Sequence, residues 1–278
     1  MAAEFGPLVS GEWLTAHLGD VRVVDVRWYV DGRSGRAAYR AGHVPGAVWL
    51  DIDSDLSAPA SPAQGRHPLP PPEAFAAALG RAGIAAGQPA VAYDDAGGST
   101  AARLWWLLHV LGEPVAVLDG GLAAWPGELT AEVPDPAPVH RAPRPWPADK
   151  FVTADELARS GALVFDARTA ERYSHGDPAL DPRPGHIPGA HSAPWAGNLA
   201  ADGRFLDAAA LRARFSPAEP RGRTGAIAYC GSGITACHDL LAMHLAGMTG
   251  NALYPGSWSQ WGADASRPSE GEIPPETG

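Results

Sequence analysis

The chain repeats itself. Val23-Val24-Asp25-Val26-Arg27 returns as Val164-Phe165-Asp166-Ala167-Arg168, and Gly42-His43-Val44-Pro45-Gly46-Ala47 returns as Gly185-His186-Ile187-Pro188-Gly189-Ala190. Val91-Ala92-Tyr93-Asp94 is answered by Ile227-Ala228-Tyr229-Cys230, and the segment ending in Trp125 by the one ending in Trp261. Four matches in one order, roughly 140 residues apart, describe a duplicated unit, and any fold proposed for one half must serve the other. Pro126 to Lys150 between them holds seven prolines at 126, 134, 136, 138, 143, 145 and 147, a density that denies helix and ladder hydrogen bonds alike. The expected organisation is one domain over 1–125, a proline-rich linker over 126–150 and a second domain over 151–278.

Within each half, short runs rich in β-branched residues alternate with helical stretches. The runs are Val21–Val26, Ala90–Tyr93 and Val115–Leu118, then Ala162–Phe165, Ala226–Tyr229 and Ala252–Tyr254; the clearest helices are Ala101–Leu111 and Thr235–Ala246. This alternation predicts an α/β fold in each half, a mainly parallel sheet flanked by crossover helices. A second proline cluster, Pro59 to Pro72, reads as a long surface loop of the first half, the kind of segment that often carries function.

Composition removes several classes of function. With 278 residues, 45% of them hydrophobic and 19% charged, wholesale disorder is excluded. A formal charge of −10 argues against nucleic acid or an anionic membrane surface as the main partner. Cys230 and Cys237 are the only cysteines, too few for a disulfide framework, and no C-x2-C pair starts a structural zinc site. The first residues lack a basic stretch followed by an apolar one, and the longest apolar run, Leu104 to Leu111, is broken by His109. A cytoplasmic protein is expected.

The sharpest local pattern is Ala226-Ile-Ala-Tyr-Cys230-Gly231-Ser232-Gly233-Ile234-Thr235-Ala236-Cys237-His238, a buried strand running through a cysteine and a Gly-Ser-Gly turn into a helix. Two glycines admit positive φ, so successive N–H groups can converge on one point backed by the positive end of the helix. A cysteine at the mouth of such a loop is expected to react as its thiolate. Three rival readings of the loop fit poorly. A cysteine phosphatase needs an arginine directly after the fifth loop residue, where Ala236 stands. A dinucleotide fingerprint needs an acidic residue about 20 positions on, and 240–263 contains neither Asp nor Glu. A serine elbow needs glycines two before and two after Ser232, where Cys230 and Ile234 stand.

The paired Asp-x-Arg and Gly-His-x-Pro-Gly-Ala motifs, the Cys-Gly-Ser-Gly-Ile-Thr-Ala-Cys loop and the Gly256-Ser-Trp-Ser-Gln-Trp261 segment resemble the two-domain rhodanese-like sulfurtransferases, most of all the branch acting on 3-mercaptopyruvate. The resemblance runs from about Ser10 to Gly262 and implies two tandem rhodanese-like domains, of which only the second is catalytic. The repeat agrees, because Asp94 stands where the second half has Cys230. It implies Cys230 as nucleophile, a donor loop of Gly231, Gly233, Ile234 and Thr235, and Arg172 and Arg183 as cations for the donor carboxylate. It also implies a proton-handling set of Ser232, Asp53 and His67. Thr235 is further expected to close the loop and cap the following helix. His43 and His186 recur in both halves, including the one without a cysteine, and so read as structural turn residues; Cys237 reads as core packing, and Trp258 and Trp261 as core anchors or pocket walls.

The chemistry so implied is transfer of sulfur from 3-mercaptopyruvate through a Cys230 persulfide to cyanide, a small thiol or a thioredoxin-like protein, with release of pyruvate and no metal or organic cofactor. Relatives preferring thiosulfate generally carry two basic residues after the cysteine, and Gly231-Ser232 match the other type. A thiosulfate:cyanide sulfurtransferase and a non-catalytic rhodanese-like binding module are the alternatives.

Overall fold

The computed structural model describes residues 5–216 and 225–271, so the first four residues of the N-terminal stretch that lacks a basic-then-apolar pattern lie outside it. Two compact units emerge. One comprises 1–58, 69–147 and 199–205; the other comprises 59–68, 148–198 and 206–278.

The first unit carries a five-stranded sheet in the order β1-β5-β4-β2-β3, from Leu8–Val9 (β1), Arg22–Asp25 (β2), Val48–Trp49 (β3), Ala90–Tyr93 (β4) and Val115–Leu118 (β5). The second carries a four-stranded sheet in the order β7-β6-β8-β9, from Leu163–Asp166 (β6), His191–Ser192 (β7), Ala226–Tyr229 (β8) and Ala252–Leu253 (β9). All strand pairs in both sheets are parallel. The helices are Gly11–His17 (α1), Gly35–Ala41 (α2), Pro72–Arg81 (α3) and Ala101–His109 (α4) in the first unit, and Ala154–Ser160 (α5), Ala170–His175 (α6), Ala208–Phe215 (α7), Ala236–Leu245 (α8) and Ser257–Trp261 (α9) in the second. The α/β expectation is met in both halves. The central strands β4, β5 and β8 are buried at every position, as a sheet covered on both faces requires. No helix among the described residues is long and apolar enough to cross a membrane.

The repeated motifs turn out to be one device used twice. Arg27 grips the Asp25 carboxylate through Nε and Nη2 and donates from Nη2 to the Gly42 carbonyl at 2.7 Å; Arg168 grips Asp166 and reaches the Gly185 carbonyl at 2.9 Å. Tyr93 and Tyr229, each paired in register with its aspartate, accept the N–H of Val44 and Ile187 on their hydroxyls at 3.1 Å. The Asp-x-Arg motif therefore ties the end of a strand to the Gly-His-x-Pro-Gly turn. Both arginine–aspartate pairs are nearly or wholly buried, so losing one partner strands a charge and costs about 3–5 kcal/mol. His43 and His186 stack on Tyr39 and Tyr173 and bond to those residues' carbonyls through Nδ1, in keeping with a structural role.

The proline-rich stretch runs against the first unit. Val139 N–H donates to the Gly80 carbonyl, Arg141 pairs with Glu113 at 2.9 Å, and Trp146 Nε1 donates to the Pro70 carbonyl. The loop expected at the surface over Pro59–Pro72 is corrected in part: 59, 60 and 62–64 are exposed, but Gly65, His67 and Pro68 are buried, 59–68 counts with the second unit, and α3 already begins at Pro72. The cause is local. Gly65 adopts φ +90°, where a Cβ would come within 2.9 Å of Ser259 Oγ, and the Ala63 carbonyl accepts from Gln260 Nε2 at 2.6 Å. This segment is pinned to α9.

Candidate active site

β8 delivers Cys230 to its own carboxyl end, and the turn after it folds the chain back over the sulfur. Ser232 N–H and Gly233 N–H point at Cys230 Sγ from 3.5 and 3.0 Å. α8 begins at Ala236, so its positive end backs the same turn. The loop is held from below by α9: Trp258 N–H donates to the Cys230 carbonyl and Ser259 N–H to the Gly231 carbonyl, both at 2.9 Å, while Ser257 Oγ accepts the Cys230 N–H at 3.1 Å. With those carbonyls drawn away, the N–H groups face the sulfur. Ser257 is the one described non-glycine residue at positive φ, +51°, and its hydroxyl also donates to the Tyr254 carbonyl.

The two loop glycines do different jobs. Gly233 sits at φ +82°, and a Cβ there would lie 2.6 Å from the Pro255 carbonyl oxygen. Gly231 is not at positive φ, contrary to the expectation that both glycines serve the turn. Its missing side chain instead makes room for cations, since a Cβ would lie 2.8 Å from Arg172 Nη2 and 2.9 Å from Arg66 Nη2.

Ser232 and His67, buried at 7% and 5% exposure, meet with Oγ and Nδ1 2.8 Å apart. Asp53 belongs to the first unit, where its Oδ2 accepts from Trp28 Nε1 at 2.9 Å. Arg172 is aimed by Asp181, which takes Nε at 2.9 Å and Nη2 at 2.5 Å, and Asp181 is fixed in turn by the Asp177 N–H. Arg183 donates from Nη2 to the Arg267 carbonyl at 2.7 Å and lies over the Trp258 ring at 5.7 Å, while its own carbonyl accepts from Trp258 Nε1. Ile234 is buried in the loop. Thr235 stands at the helix start, but its expected side-chain cap is absent: φ −68° and ψ −17° are already helical, whereas a capping hydroxyl needs extended backbone. Cys237 is buried and bonds through Sγ to the Gly233 carbonyl at 3.4 Å.

Sequence reasoning missed Arg66, Asp181, Ser257 and Ser259. For Arg66 a signal existed, a cation directly before His67 in an acidic chain. Asp181 and the two serines are visible only as partners in space.

The profile of the rhodanese-like domain matches residues 10–128 and again 152–264. A Pseudomonas aeruginosa protein described as a probable 3-mercaptopyruvate sulfurtransferase is 41% identical over 275 residues, covering 94% of this chain and 96% of its own. A Mycobacterium tuberculosis protein described as a putative thiosulfate sulfurtransferase is 37% identical over 260 residues, covering 89% and 90%. The crystal structure of a 3-mercaptopyruvate sulfurtransferase from Escherichia coli superposes with a TM-score of 0.80 at 31% identity, over 91% of this chain and 98% of that one.

Proposed function

Since the chain belongs to the rhodanese family and carries its domain twice, we propose that it is a sulfurtransferase that draws sulfur from 3-mercaptopyruvate onto Cys230 and passes it to a thiol or to cyanide. The observation that carries the reading is the loop itself: a cysteine whose sulfur faces two backbone N–H groups, with no charged side chain of its own and guanidinium groups set over Gly231. A neutral loop with its cations supplied from outside suits a donor whose charge is a carboxylate.

In this mechanism Arg172, with Arg183 as the second assigned cation, holds the carboxylate and brings the donor sulfur to Cys230. The Cys230 thiolate attacks that sulfur, a new S–S bond forms, and the C–S bond breaks with its electron pair passing to carbon. The leaving group is the enolate of pyruvate, which takes a proton and departs as pyruvate. In this reading Ser232 hands over that proton, a role supported by its hydrogen bond with His67. The Ser232 and Gly233 N–H groups stabilise negative charge on sulfur before and after transfer. In the second half, cyanide, a small thiol or a thioredoxin-like protein attacks the outer sulfur and Cys230 leaves as thiolate, so ping-pong kinetics follow. Asp53, assigned to the proton-handling set by resemblance alone, has the role of orienting its partners. A cytoplasmic location belongs to the same reading.

The test is to incubate the reduced protein with 3-mercaptopyruvate, and separately with thiosulfate, and measure intact mass and pyruvate. One added sulfur with stoichiometric pyruvate, lost in Cys230→Ser, is expected. A gain with thiosulfate alone would replace the donor, an outcome that the description of the Mycobacterium relative makes the second reading. No gain with either would favour a non-catalytic binding module.

A further inference from the structure

Arg66 is a cation beside the loop that the mechanism above leaves unused, and its surroundings give it a task. Its backbone is fixed on both sides: the Arg66 N–H donates to Ser259 Oγ at 3.0 Å, and the next residue is His67, bonded to Ser232. Its guanidinium Nη1 bonds the Leu180 carbonyl. Leu180 precedes Asp181, the residue that aims Arg172. One short turn, Asp177–Asp181, therefore tethers both guanidinium groups, and the Nη2 of each converges on Gly231.

The two arginines differ in charge balance. Arg172 shares Asp181, which also lies 3.5 Å from Arg168 Nη1, whereas Arg66 forms no ion pair with a carboxylate among the described residues. Burial, and then the like charge of Arg172, push the Arg66 guanidinium below its ordinary value, partly opposed by Cys230 and Asp181. Two cations brought together in a half-buried place, one of them without a carboxylate partner of its own, favour an anion between them.

Resting on the donor reading above, we propose that Arg66 joins Arg172 in a two-guanidinium clamp over Gly231 that binds the anionic group of the sulfur donor. The clamp closes on the residue next to Cys230, so an anion held there presents a sulfur a few bonds away to the thiolate. A carboxylate or a sulfonate fits, and an uncharged donor does not. Gly231 is part of the device, because a side chain there would collide with both guanidinium groups.

The charge preference of Cys230 can be read without any sulfur transfer. Iodoacetate and iodoacetamide differ in one carboxylate, and their rates on Cys230 are compared by peptide mass in wild type, Arg66→Gln and Arg66→Lys, alongside KM and kcat for 3-mercaptopyruvate and thiosulfate. Arg66→Gln is expected to lower the iodoacetate-to-iodoacetamide rate ratio by at least about tenfold, with the iodoacetamide rate nearly unchanged. KM for the donor that the enzyme uses should rise by about tenfold or more while kcat stays within about threefold. Arg66→Lys should restore most of the ratio, which a purely structural tether to Leu180 would not require. An unchanged ratio in a folded Arg66→Gln protein, or equal losses with both reagents, would overturn the clamp. If the ratio falls as expected while wild type turns over neither donor, the clamp stands and the sulfurtransferase reading fails.

Discussion

In the first unit β4 ends at Tyr93 and hands the chain to Asp94; in the second, β8 ends at Tyr229 and hands it to Cys230. Both tyrosines pair with an Asp-x-Arg aspartate, and both turns lead into a buried helix. At Asp94 the turn is filled. Its carboxylate accepts the N–H groups of Ala96, Gly98, Thr100 and Ala101 and the Thr100 hydroxyl, all between 2.8 and 3.0 Å. At Cys230 the sulfur accepts the N–H groups of Ser232 and Gly233. The same turn is thus closed by a carboxylate in one unit and by a cysteine, the proposed nucleophile, in the other. A duplicated scaffold can keep its anion cradle for stability in one copy and for chemistry in the other.

That contrast can be broken most severely at Cys230, the proposed nucleophile. Cys230→Asp, which gives the second loop the acid of the first, should reduce kcat/KM by at least about 10³-fold, about 4 kcal/mol. It should leave a folded protein, because a carboxylate can accept the same N–H groups; assays of pyruvate release with circular dichroism check both halves of the claim. The reverse lesion, Asp94→Ala, strands several buried donors at once and should lower unfolding stability by about 3 kcal/mol in urea titrations, with activity per folded molecule kept. Ser232→Ala removes the hydroxyl bonded to His67 and should lower kcat by about 10- to 100-fold; the double variant with His67→Asn should lose little more, since the two act as one unit.

The smallest effect concerns the helices that follow. α4 contains no acidic residue, whereas α8 buries Asp239, whose carboxyl is pushed up to about 8 by burial, opposed by the Asn198 hydrogen bond. The folded chain keeps that proton up to about pH 8, while the unfolded chain releases it near pH 4. Between those values the unfolded state binds fewer protons, so this group lowers stability as pH rises. Asp239→Asn should therefore melt above wild type at pH 8 by at least about 1 kcal/mol, with the difference shrinking toward pH 4, as thermal scans across pH would record.

Much of this was readable in advance for a physical reason. Strands β4, β5 and β8 fall on the expected runs because fully buried parallel strands demand unbroken apolar sequence. The short strands Leu8–Val9, Val48–Trp49 and His191–Ser192 carry too few residues for any periodicity and were not legible. At the candidate site, Cys230 stood out by its loop and Ser232 and Arg172 were proposed from the resemblance, while 65–68 looked like surface because its own sequence says nothing of α9, against which it packs.

By itself, then, the sequence determined the duplication, the parallel α/β architecture and the place of Cys230 at the end of a strand, all properties of local pattern and of repetition along one dimension. Only the tertiary structure decided which residues surround that cysteine. Arg66 and Cys230 are separated by more than half the chain. What places Arg66 over Gly231 is hydrogen bonding of its segment to Ser259 and Leu180, partners that no run of neighbouring residues can reveal.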